Sequence, residues 1–359
     1  MKCKTLVILT LLINLTAFCQ EDSTPRDSTE QNERDLYIED FTRQLNIKLE
    51  ANNDVQKFHI PFEDRIVDIE PNLGLKYGLA FSYKFLSIRI GIRPNISEES
   101  KKDKGESESS RFRVKFLFDK WTYKLEYNRI KGFYITDSKS MSVNQNFENH
   151  IQFPNLESKV VLLSAAYKFN DYYSVRALES QVERQKKSIG SFVPSLDIWF
   201  YKFTDSQTII NGDGETIERT NYMESNGIDF IVNAGYFYTF VYKNWYANAK
   251  LIPGIGIDFN STTSYTENSS STSNFRDLVL SIEPGAGIGY NSKKIFFGAS
   301  FSRKMTNQKS NDKKFHFNIT KNSFFVFFGY RFKAPKTVTK TVDKIENTVP
   351  LLKKEENKN

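Results

Sequence analysis

The sequence predicts an all-β protein, an antiparallel transmembrane β-barrel of about 12 strands, within a range of about 10 to 14. Three observations lead to this prediction: the composition, the alternation of apolar and polar residues, and the sorting of short and long connections. Of the 359 residues, 39% are hydrophobic and 14% aromatic, and the mean hydropathy is -0.51. A helical membrane protein is excluded because it needs several apolar runs of about 20 residues. Disorder is excluded by the aromatic content.

Residues 1–19 are predicted to be a secretory signal peptide. A basic start is followed by an apolar stretch too short to span a bilayer, and small residues precede Gln20, where cleavage is expected. The alternative is lipid modification at Cys19, which the bulky Phe18 disfavours. Cys3 and Cys19 are the chain's two cysteines. The mature chain would therefore contain no disulfide, thiolate metal site or cysteine nucleophile.

Polar segments flank the predicted barrel, which spans residues 41–332. Residues 20–40 are predicted to be an acidic flexible arm, with eight acidic residues and two arginines. Residues 333–359 carry seven lysines and four acidic residues, and they are predicted to form a basic periplasmic tail, disordered or partly helical. Basic residues between these ends are spread along alternating segments. A nucleic-acid-binding surface would cluster them, so no nucleic-acid partner is expected.

Period-2 alternation is the main structural signal. In residues 85–93, Leu86, Ile88 and Ile90 alternate with polar residues or glycine. Successive side chains of a strand point to opposite faces, so each such segment has one apolar and one polar face. Aromatic apolar faces suit lipid and its interfaces, and charged faces suit a water-filled interior. The twelve predicted strands are 43–50, 72–83, 85–94, 111–118, 121–132, 158–169, 190–203, 226–241, 245–258, 276–290, 294–303 and 313–332, with a further short strand considered at 55–60.

The connections between these segments alternate between short and long. Short turns are predicted at 83–85, 119–120, 242–244 and 291–294, and long loops at 95–110, 134–156, 204–225, 259–275 and 304–312. Outer-membrane barrels have short periplasmic turns and long extracellular loops, whereas a soluble sandwich has no reason to sort them. Residues 170–188 are the exception, a long connection on the short-turn side. Val175, Leu178 and Val182 predict a short periplasmic helix there.

Two irregularities are predicted within strands. The apolar residues of the last segment are odd-numbered up to Ile319 and even-numbered from Phe324. One extra residue near 321–323 would produce this change, so a β-bulge is predicted there. Pro253 and Pro284 cannot donate to a ladder, so each is predicted at a bulge or a strand end.

Four stretches carry a resemblance to a known family: Tyr37-Ile38-Glu39-Asp40-Phe41, Leu45-Asn46-Ile47-Lys48-Leu49, Glu70-Pro71-Asn72, and Gly78-Leu79-Ala80-Phe81-Ser82-Tyr83-Lys84-Phe85-Leu86-Ser87-Ile88. Over residues 37–332 the chain resembles domain of unknown function 4421, a family of outer-membrane proteins from Bacteroidetes. The resemblance implies export and a β-barrel in the cell outer membrane, in contact with outer-membrane lipid and lipopolysaccharide. It implies no activity. The aromatic end of the last strand resembles the terminal strand that barrel assembly machinery recognises.

Candidate chemistry is sparse. His59, His150 and His316 are far apart and lack metal-ligand spacing, so no metal or other cofactor is predicted. Lipid hydrolases place Ser and His together, and His316 with Ser300 or Ser302 on the neighbouring predicted strand is the one candidate pair. A solvated histidine in the lumen is the favoured interpretation of His316.

Nine charged residues are predicted to line the lumen, because each lies on the polar face of its strand: Lys76, Arg89, Arg113, Lys124, Glu126, Asp197, Asp229, Lys250 and Glu283. They predict either a charged pore lining or a lumen closed by salt bridges. The preferred function is therefore a structural role or a narrow channel for small polar solutes. The alternative is a membrane-embedded lipid-modifying hydrolase, and a surface adhesin is the weakest of the three.

Overall fold

The computed structural model describes residues 28–62, 65–92, 96–140, 148–205, 207–309 and 318–348. Its elements in chain order are α1 Ser28–Tyr37, β1 Ile38–Asp40, β2 Gln44–Phe62, β3 Arg65–Glu70, β4 Lys76–Tyr83, β5 Leu86–Ile92, α2 Glu98–Lys104, β6 Glu108–Leu117, β7 Trp121–Ile135, β8 Gln152–Tyr167, α3 Val175–Glu179, β9 Glu183–Gln185, β10 Ile189–Thr204, β11 Thr208–Ile210, β12 Thr216–Glu218, β13 Tyr222–Tyr242, β14 Trp245–Tyr265, β15 Ser270–Asn291, β16 Ile295–Lys309, β17 Asn318–Lys333 and α4 Lys336–Thr348, with a 3-10 turn at Ser138–Ser140.

The chain divides into two compact units, residues 37–332 and the flanking residues. The predicted acidic arm contains all of α1, most of which belongs to the flanking unit, and the predicted tail contains α4. No helix in the described ranges is long and apolar enough to cross a membrane.

Twelve strands of the described residues close into an antiparallel barrel, which confirms the predicted fold class. In order around the wall they are β2, β4, β5, β6, β7, β8, β10, β13, β14, β15, β16 and β17, and β17 neighbours β2 to close the circle. Each predicted strand corresponds to one of these. The predicted first strand and the extra short strand at 55–60 are one continuous strand, β2.

The barrel is apolar outside and polar inside. On β13, Phe230, Val232 and Tyr236 are exposed, whereas Asp229 and Asn233 are buried. The exposed apolar residues of β17 extend from Phe324 to Phe332, about 27 Å along the strand at roughly 3.3 Å per residue. At a strand tilt of about 40° this approaches the roughly 25 Å apolar band of membrane barrels. The outer wall is therefore suited to lipid.

The four predicted short turns lie at one end of the barrel, which we call the short-turn end. Aromatic rings contact each other there: the ring centroids of Trp245 and Tyr290 are 5.3 Å apart, and those of Trp121 and Tyr167 are 5.0 Å apart. Amphipathic aromatic rings favour the membrane–water boundary.

A folded segment, residues 168–188, which we call the plug, covers the short-turn end. It contains the predicted short helix as α3, whose N-cap Ser174 accepts a hydrogen bond from the Ala177 amide at 2.9 Å. Its strand β9 pairs with β1. Arg176 donates to the carbonyl oxygen of Leu117 at 2.8 Å, and this contact ties α3 to the end of β6.

An apolar cluster, which we call the lid, covers the opposite end. Strand β3 folds back on β2 and pairs with β7. Between them, Phe58 contacts Phe133 and Phe203, with ring centroids 5.6 and 5.8 Å apart. The lid consists of Phe58, Val67, Ile69, Leu73, Ile130, Phe133, Ile135, Phe153, Leu156 and Phe203.

Two of the predicted long loops are wrong, because the strands continue through them. β14 and β15 extend to Tyr265 and Ser270, so four residues connect them, and β16 continues to Lys309. The residues here are mostly Ser, Thr and Asn, which carry no apolar alternation. The ladder persists, and the hydroxyls of Thr263 and Thr272 lie 2.9 Å apart across it.

The predicted bulge near 321–323 is wrong on the β16 side of the strand. Pairing runs without a shift from Ile295 with Tyr330 to Thr306 with Ile319. Ile319 lies in the same continuous register as the rest of β17 and points into the lumen. The apolar residues therefore change from odd to even numbers because Ile319 faces the interior, whereas Phe324 faces outward. A register shift occurs instead on β7 at Gly132, where φ is +85°. Glycine adopts this conformation without a steric penalty.

The predictions for Pro253 and Pro284 are also wrong. Both lie in the middle of strands, and the two strands pair without a shift: Pro253 faces Ile282, and Pro284 faces Leu251. Each proline instead lies at a short gap in the pairing with the strand on its other side: β13 for Pro253 and β16 for Pro284. The register is the same before and after each gap.

Candidate functional site

The lumen contains two adjoining chambers between the plug and the lid. The lower chamber has a volume of about 290 Å³ and reaches α3 of the plug. The upper chamber has a volume of about 100 Å³ and reaches Phe58 and Phe203 of the lid. The residues that line both chambers form what we call the partition: Glu126, Leu162, Trp199, Lys304 and Lys321.

One wall of the lower chamber is a tight ion-pair group on β2 and β5. Arg89 binds Glu50 through two nitrogens, at 2.6 and 2.8 Å, and Lys48 lies 3.2 Å from the same carboxylate. Arg89 and Lys48 also lie over aromatic rings of β17, at 4.8 Å from the Phe325 centroid and 5.0 Å from the Phe327 centroid. A buried carboxylate requires such partners because isolated charge is costly away from water.

A second ion-pair group joins β2, β6, β7 and β17. Arg113 donates to Glu126 at 2.7 Å, and Arg111 lies 3.4 Å from the other oxygen of that carboxylate. Arg111 also pairs with Asp54. Lys321 lies 3.8 Å from Glu126, at the limit of an ion pair. Glu126 is therefore held mainly by the two arginines.

The plug is bound to the lumen wall by polar contacts. Lys115 pairs with Glu179 of α3. Lys48 donates to the side-chain oxygen of Gln181 at 3.0 Å, and Asn46 donates to the carbonyl oxygen of Ser180 at 3.0 Å. Burial by itself would raise the pKa of Glu179. The charge of Lys115 and its hydrogen bond, together with the charges of Lys250 and Arg113, outweigh burial and hold that pKa below the 4.5 of a free glutamate.

Several cationic groups of the lower chamber are loosely paired. Lys304 lies 3.5 Å from Asp197 and 4.7 Å from the centroid of Trp199. Lys124 makes no ion pair with the described residues, and the buried indole Nε1 of Trp199 has no hydrogen-bond partner among them. Eight cationic and five anionic side chains line this chamber, an excess of three positive charges.

Seven of the nine residues predicted to line the lumen border the lower chamber: Arg89, Arg113, Lys124, Glu126, Asp197, Lys250 and Glu283. Asp229 borders the upper chamber. Lys76 borders neither chamber and lies at the first position of β4, on the same strand face as Ala80. Lys250 and Glu283 pair with each other.

Six further residues that the sequence pattern did not identify as site residues also border the lower chamber: Lys48, Glu50, Lys115, Trp199, Lys304 and Lys321. Lys48 and Glu50 alternate with apolar residues in the first predicted strand, so the period-2 pattern could have identified them as residues that face the lumen. Lys304 had been assigned to a loop and Lys321 to a bulge.

Ser300 and Ser302 also border the lower chamber, and their partners on β17 are Phe325 and Ser323. They therefore face the interior and not lipid. His316 lies outside the described residues, so its pairing with either serine stays a prediction.

The two described histidines make hydrogen bonds at the long-loop end. His59 bridges Asp68 on β3, at 2.6 Å from Nδ1, and Thr320 on β17, at 3.1 Å from Nε2. This order of acid, imidazole and hydroxyl is also that of hydrolytic triads. Thr320 is only 9% exposed, and we interpret the chain of bonds as a clamp that holds β3 to β17. Within the described ranges, no group of three or more His, Cys, Asp or Glu residues could hold a metal ion.

Three aspartates lie side by side near the upper chamber. Asp229 faces Asp258 across β13 and β14, and Asp258 faces Asp277 across β14 and β15. Tyr201 donates to Asp258 at 2.8 Å. Like charges placed directly across a sheet are unfavourable. The part of the lumen wall beside these aspartates therefore disfavours an additional anion.

Comparison with solved structures returns membrane barrels at low similarity. The translocator domain of the autotransporter NalP from Neisseria meningitidis has 8% identity and a TM-score of 0.38, and the match covers 81% of this chain and 89% of that one. The toluene transporter TodX of Pseudomonas putida has 10% identity, a TM-score of 0.27 and coverage of 81% and 89%. OmpT of Vibrio cholerae has 9% identity, a TM-score of 0.25 and coverage of 80% and 99%. These scores are too low to support an inference.

A search of curated proteins finds no significant match. The model of one family, described as a domain of unknown function (DUF4421), matches residues 25–332, which include all twelve barrel strands except the last residue of β17. The chain therefore belongs to the DUF4421 family.

Proposed function

We propose that the protein resides in the cell outer membrane and forms a narrow, gated passage for small polar solutes, with a preference for anions. The exposed apolar band of the outer wall supports the membrane location, since such a surface on a soluble protein would aggregate. In that location the wall contacts outer-membrane lipid and lipopolysaccharide, and assembly machinery reads the terminal strand that ends near Phe332.

The observation that carries this proposal is the lower chamber. It is a cavity of about 290 Å³ inside the barrel, lined by eight cations and five anions. A structural barrel has no need for unpaired charge in its interior, because each buried charge without a close partner is costly. The excess of positive charge attracts anions and repels cations.

The plug is the natural gate of this passage. It is one connection between β8 and β10, and polar contacts, such as the pair between Lys115 and Glu179, hold it in the lumen. Polar contacts exchange readily for water. The apolar lid at the other end lacks this property, and its opening would expose buried phenylalanines.

Conductance in planar bilayers tests the passage. We would compare the full chain with a variant in which residues 171–186 are replaced by a short Gly-Ser linker. The full chain is expected to be mostly closed. The variant is expected to conduct, and in a KCl gradient its reversal potential should have the sign of anion selectivity. A variant that inserts but never conducts, or that selects cations, would contradict the proposal.

A matched control separates selectivity from plug removal. In the linker variant, Lys124→Gln removes one loosely paired cation, whereas the double change Lys250→Gln and Glu283→Gln removes a paired couple. The first should reduce anion selectivity, and the second should leave it nearly unchanged.

The lipid-hydrolase alternative keeps its own test. Lipid composition is compared between two deletion strains, one carrying the wild-type protein and one carrying His316→Ala. If the protein is not a hydrolase, the two strains should have the same lipid composition. The inward position of Ser300 and Ser302 gives this alternative no support.

A further inference from the structure

We propose that the partition and the upper chamber form a binding site for a small amphipathic carboxylate. Its carboxylate would lie at the partition, and its apolar body would occupy the upper chamber. This inference rests on the proposed function, because it names the class of solute that the lumen accepts.

The partition offers donors that the protein itself leaves incompletely used. The indole Nε1 of Trp199 is buried and has no hydrogen-bond partner among the described residues. Lys304 and Lys321 reach their nearest carboxylates only at 3.5 and 3.8 Å. Charge-assisted hydrogen bonds to a carboxylate are normally about 2.7–2.9 Å long. One additional carboxylate could therefore accept from Trp199 and from both lysines.

The acidic groups nearby do not occupy this place. Glu126 is bound by Arg113 at 2.7 Å and by Arg111 at 3.4 Å, so its charge is compensated without Lys321. Among the described residues, Asp197 has one ion-pair partner, Lys304, at 3.5 Å. Lys124, which also lines the lower chamber, adds a positive charge that has no ion pair with the described residues. The local balance consequently favours one more anion.

The upper chamber accepts an apolar body. Apolar atoms form most of its wall surface, contributed among others by Phe58, Val160, Phe203, Ile231 and Ile319. A dry cavity of about 150 Å³ holds one benzene molecule, so the 100 Å³ of this chamber suits an apolar body of about four or five carbon atoms. A bare inorganic anion would leave this space unused.

The charges of the upper chamber fix the orientation of the ligand. Asp229 lines this chamber next to the buried Asp258, and Lys202 lines it as well. This acidic pair disfavours a carboxylate placed deep in the upper chamber, and Lys202 is already paired with Glu224 at 3.0 Å. The carboxylate therefore belongs at the partition, beside Lys304 and Lys321, and the apolar body points toward the lid.

Isothermal titration of the full chain in detergent micelles with sodium hexanoate tests the site. Acetate lacks the apolar body, 1-hexanol lacks the charge, and hexylammonium reverses it. Saturable binding of hexanoate is expected, with acetate and 1-hexanol at least tenfold weaker and no binding of hexylammonium. Equal affinity for acetate would show a plain anion site, and equal affinity for 1-hexanol would show an apolar pocket; either result overturns the proposal.

Variants locate the binding within the lumen. Trp199→Phe removes the Nε1 donor at nearly constant shape, and Lys321→Met removes a charge at similar length; each should weaken hexanoate binding by about tenfold, the effect of one hydrogen bond to a charged group. The double change Lys250→Gln and Glu283→Gln alters the lower chamber away from the partition and should change the affinity less than twofold. Unchanged affinity in both partition variants would overturn the proposal.

Two controls make the result decisive. Heat-modifiable migration in gels checks that each variant retains the closed barrel, and Lys304→Met serves in place of Lys321→Met if the latter does not fold. Binding is measured with the plug in place and without any conductance. Failure of hexanoate binding alongside anion-selective conductance would therefore reject this site alone, and binding without conductance would reject only the passage.

Discussion

Arg331 is the residue whose removal should release the plug. It is 3% exposed and lies near the end of β17. Its guanidinium donates to the carbonyl oxygens of Gln181 in the plug and of Ser292 in the β15–β16 turn. It also lies between two rings, with centroids of Phe41 and Phe296 at 4.2 and 4.7 Å. One side chain thus connects the last strand, a turn and the plug.

The expected magnitude follows from these contacts. Arg331→Met retains much of the apolar stem and removes every donor, so the carbonyl oxygen of Gln181 loses this bond. Because the donor is charged, each of its two hydrogen bonds to carbonyl oxygens is worth about 1.5–3 kcal/mol, or roughly 3–6 kcal/mol for both. Water that enters the released end offsets part of this cost. We therefore expect the open population of the plug to rise by roughly 100-fold, which corresponds to about 3 kcal/mol.

Limited trypsin cleavage measures that population. The plug contains Arg176 and Arg184, which are half-buried and become accessible when it leaves the lumen, whereas Lys186 and Lys187 are already exposed, so only cleavage after Arg176 and Arg184 is counted. Cleavage there should be roughly 100-fold faster in Arg331→Met than in the wild type, since cleavage of a transiently opened state tracks its population. Arg331→Lys should be intermediate, because an ammonium lacks the planar fork that donates to several acceptors and stacks on rings.

A matched control is Arg219→Met at the long-loop end, where Arg219 pairs with Asp205 at 3.1 Å. It should leave cleavage of the plug unchanged. If Arg331→Met folds but its plug is cut no faster than that of the control, the reasoning that Arg331 holds the plug is refuted.

Three other predictions follow from single contacts. Because the pKa of Glu179 is lowered, its pair with Lys115 stabilises the closed plug fully above pH 4.5. This stabilisation is lost only as pH falls through the lowered pKa. Bilayer conductance of the full chain should therefore stay low from pH 7 to about pH 5. Gly132→Ala should destabilise the barrel by about 1–3 kcal/mol in urea unfolding, since φ is +85° and a Cβ would collide with the carbonyl oxygen of Glu106; an unchanged midpoint would contradict this. Val232→Lys on the outer wall should cost about 2–4 kcal/mol in the same measurement, whereas Val232→Leu should be nearly neutral, and equal effects would argue against lipid contact.

Alternation predicted most of the fold because the solvent differs on the two sides of the wall. Where lipid faces one side and a polar lumen the other, as on β5 and β13, every second residue is constrained. Where both sides of a strand are wet, the constraint disappears. This is why residues 259–275 were predicted as a loop, although the ladder between β14 and β15 continues to Tyr265 and Ser270.

The interior was harder to predict because strand faces do not specify neighbours. The polar faces of β2 and β5 were readable, but the pairing of Arg89 with Glu50 depends on β4 lying between these two strands and on its register with each of them. Ile319 is an apolar residue that faces the lumen. The sequence pattern predicts a bulge beside it only if every residue that faces the lumen is assumed to be polar.

The sequence by itself determined that the chain forms a barrel with an apolar exterior, about how many strands it has, and which connections are short. These properties follow from local period-2 patterning and turn spacing. Only the tertiary structure decided that residues 168–188 fill one end, that an apolar lid covers the other, and that Trp199, Lys304 and Lys321 meet between the chambers. Such contacts join residues from distant strands, and their geometry exists only once the sheet has closed.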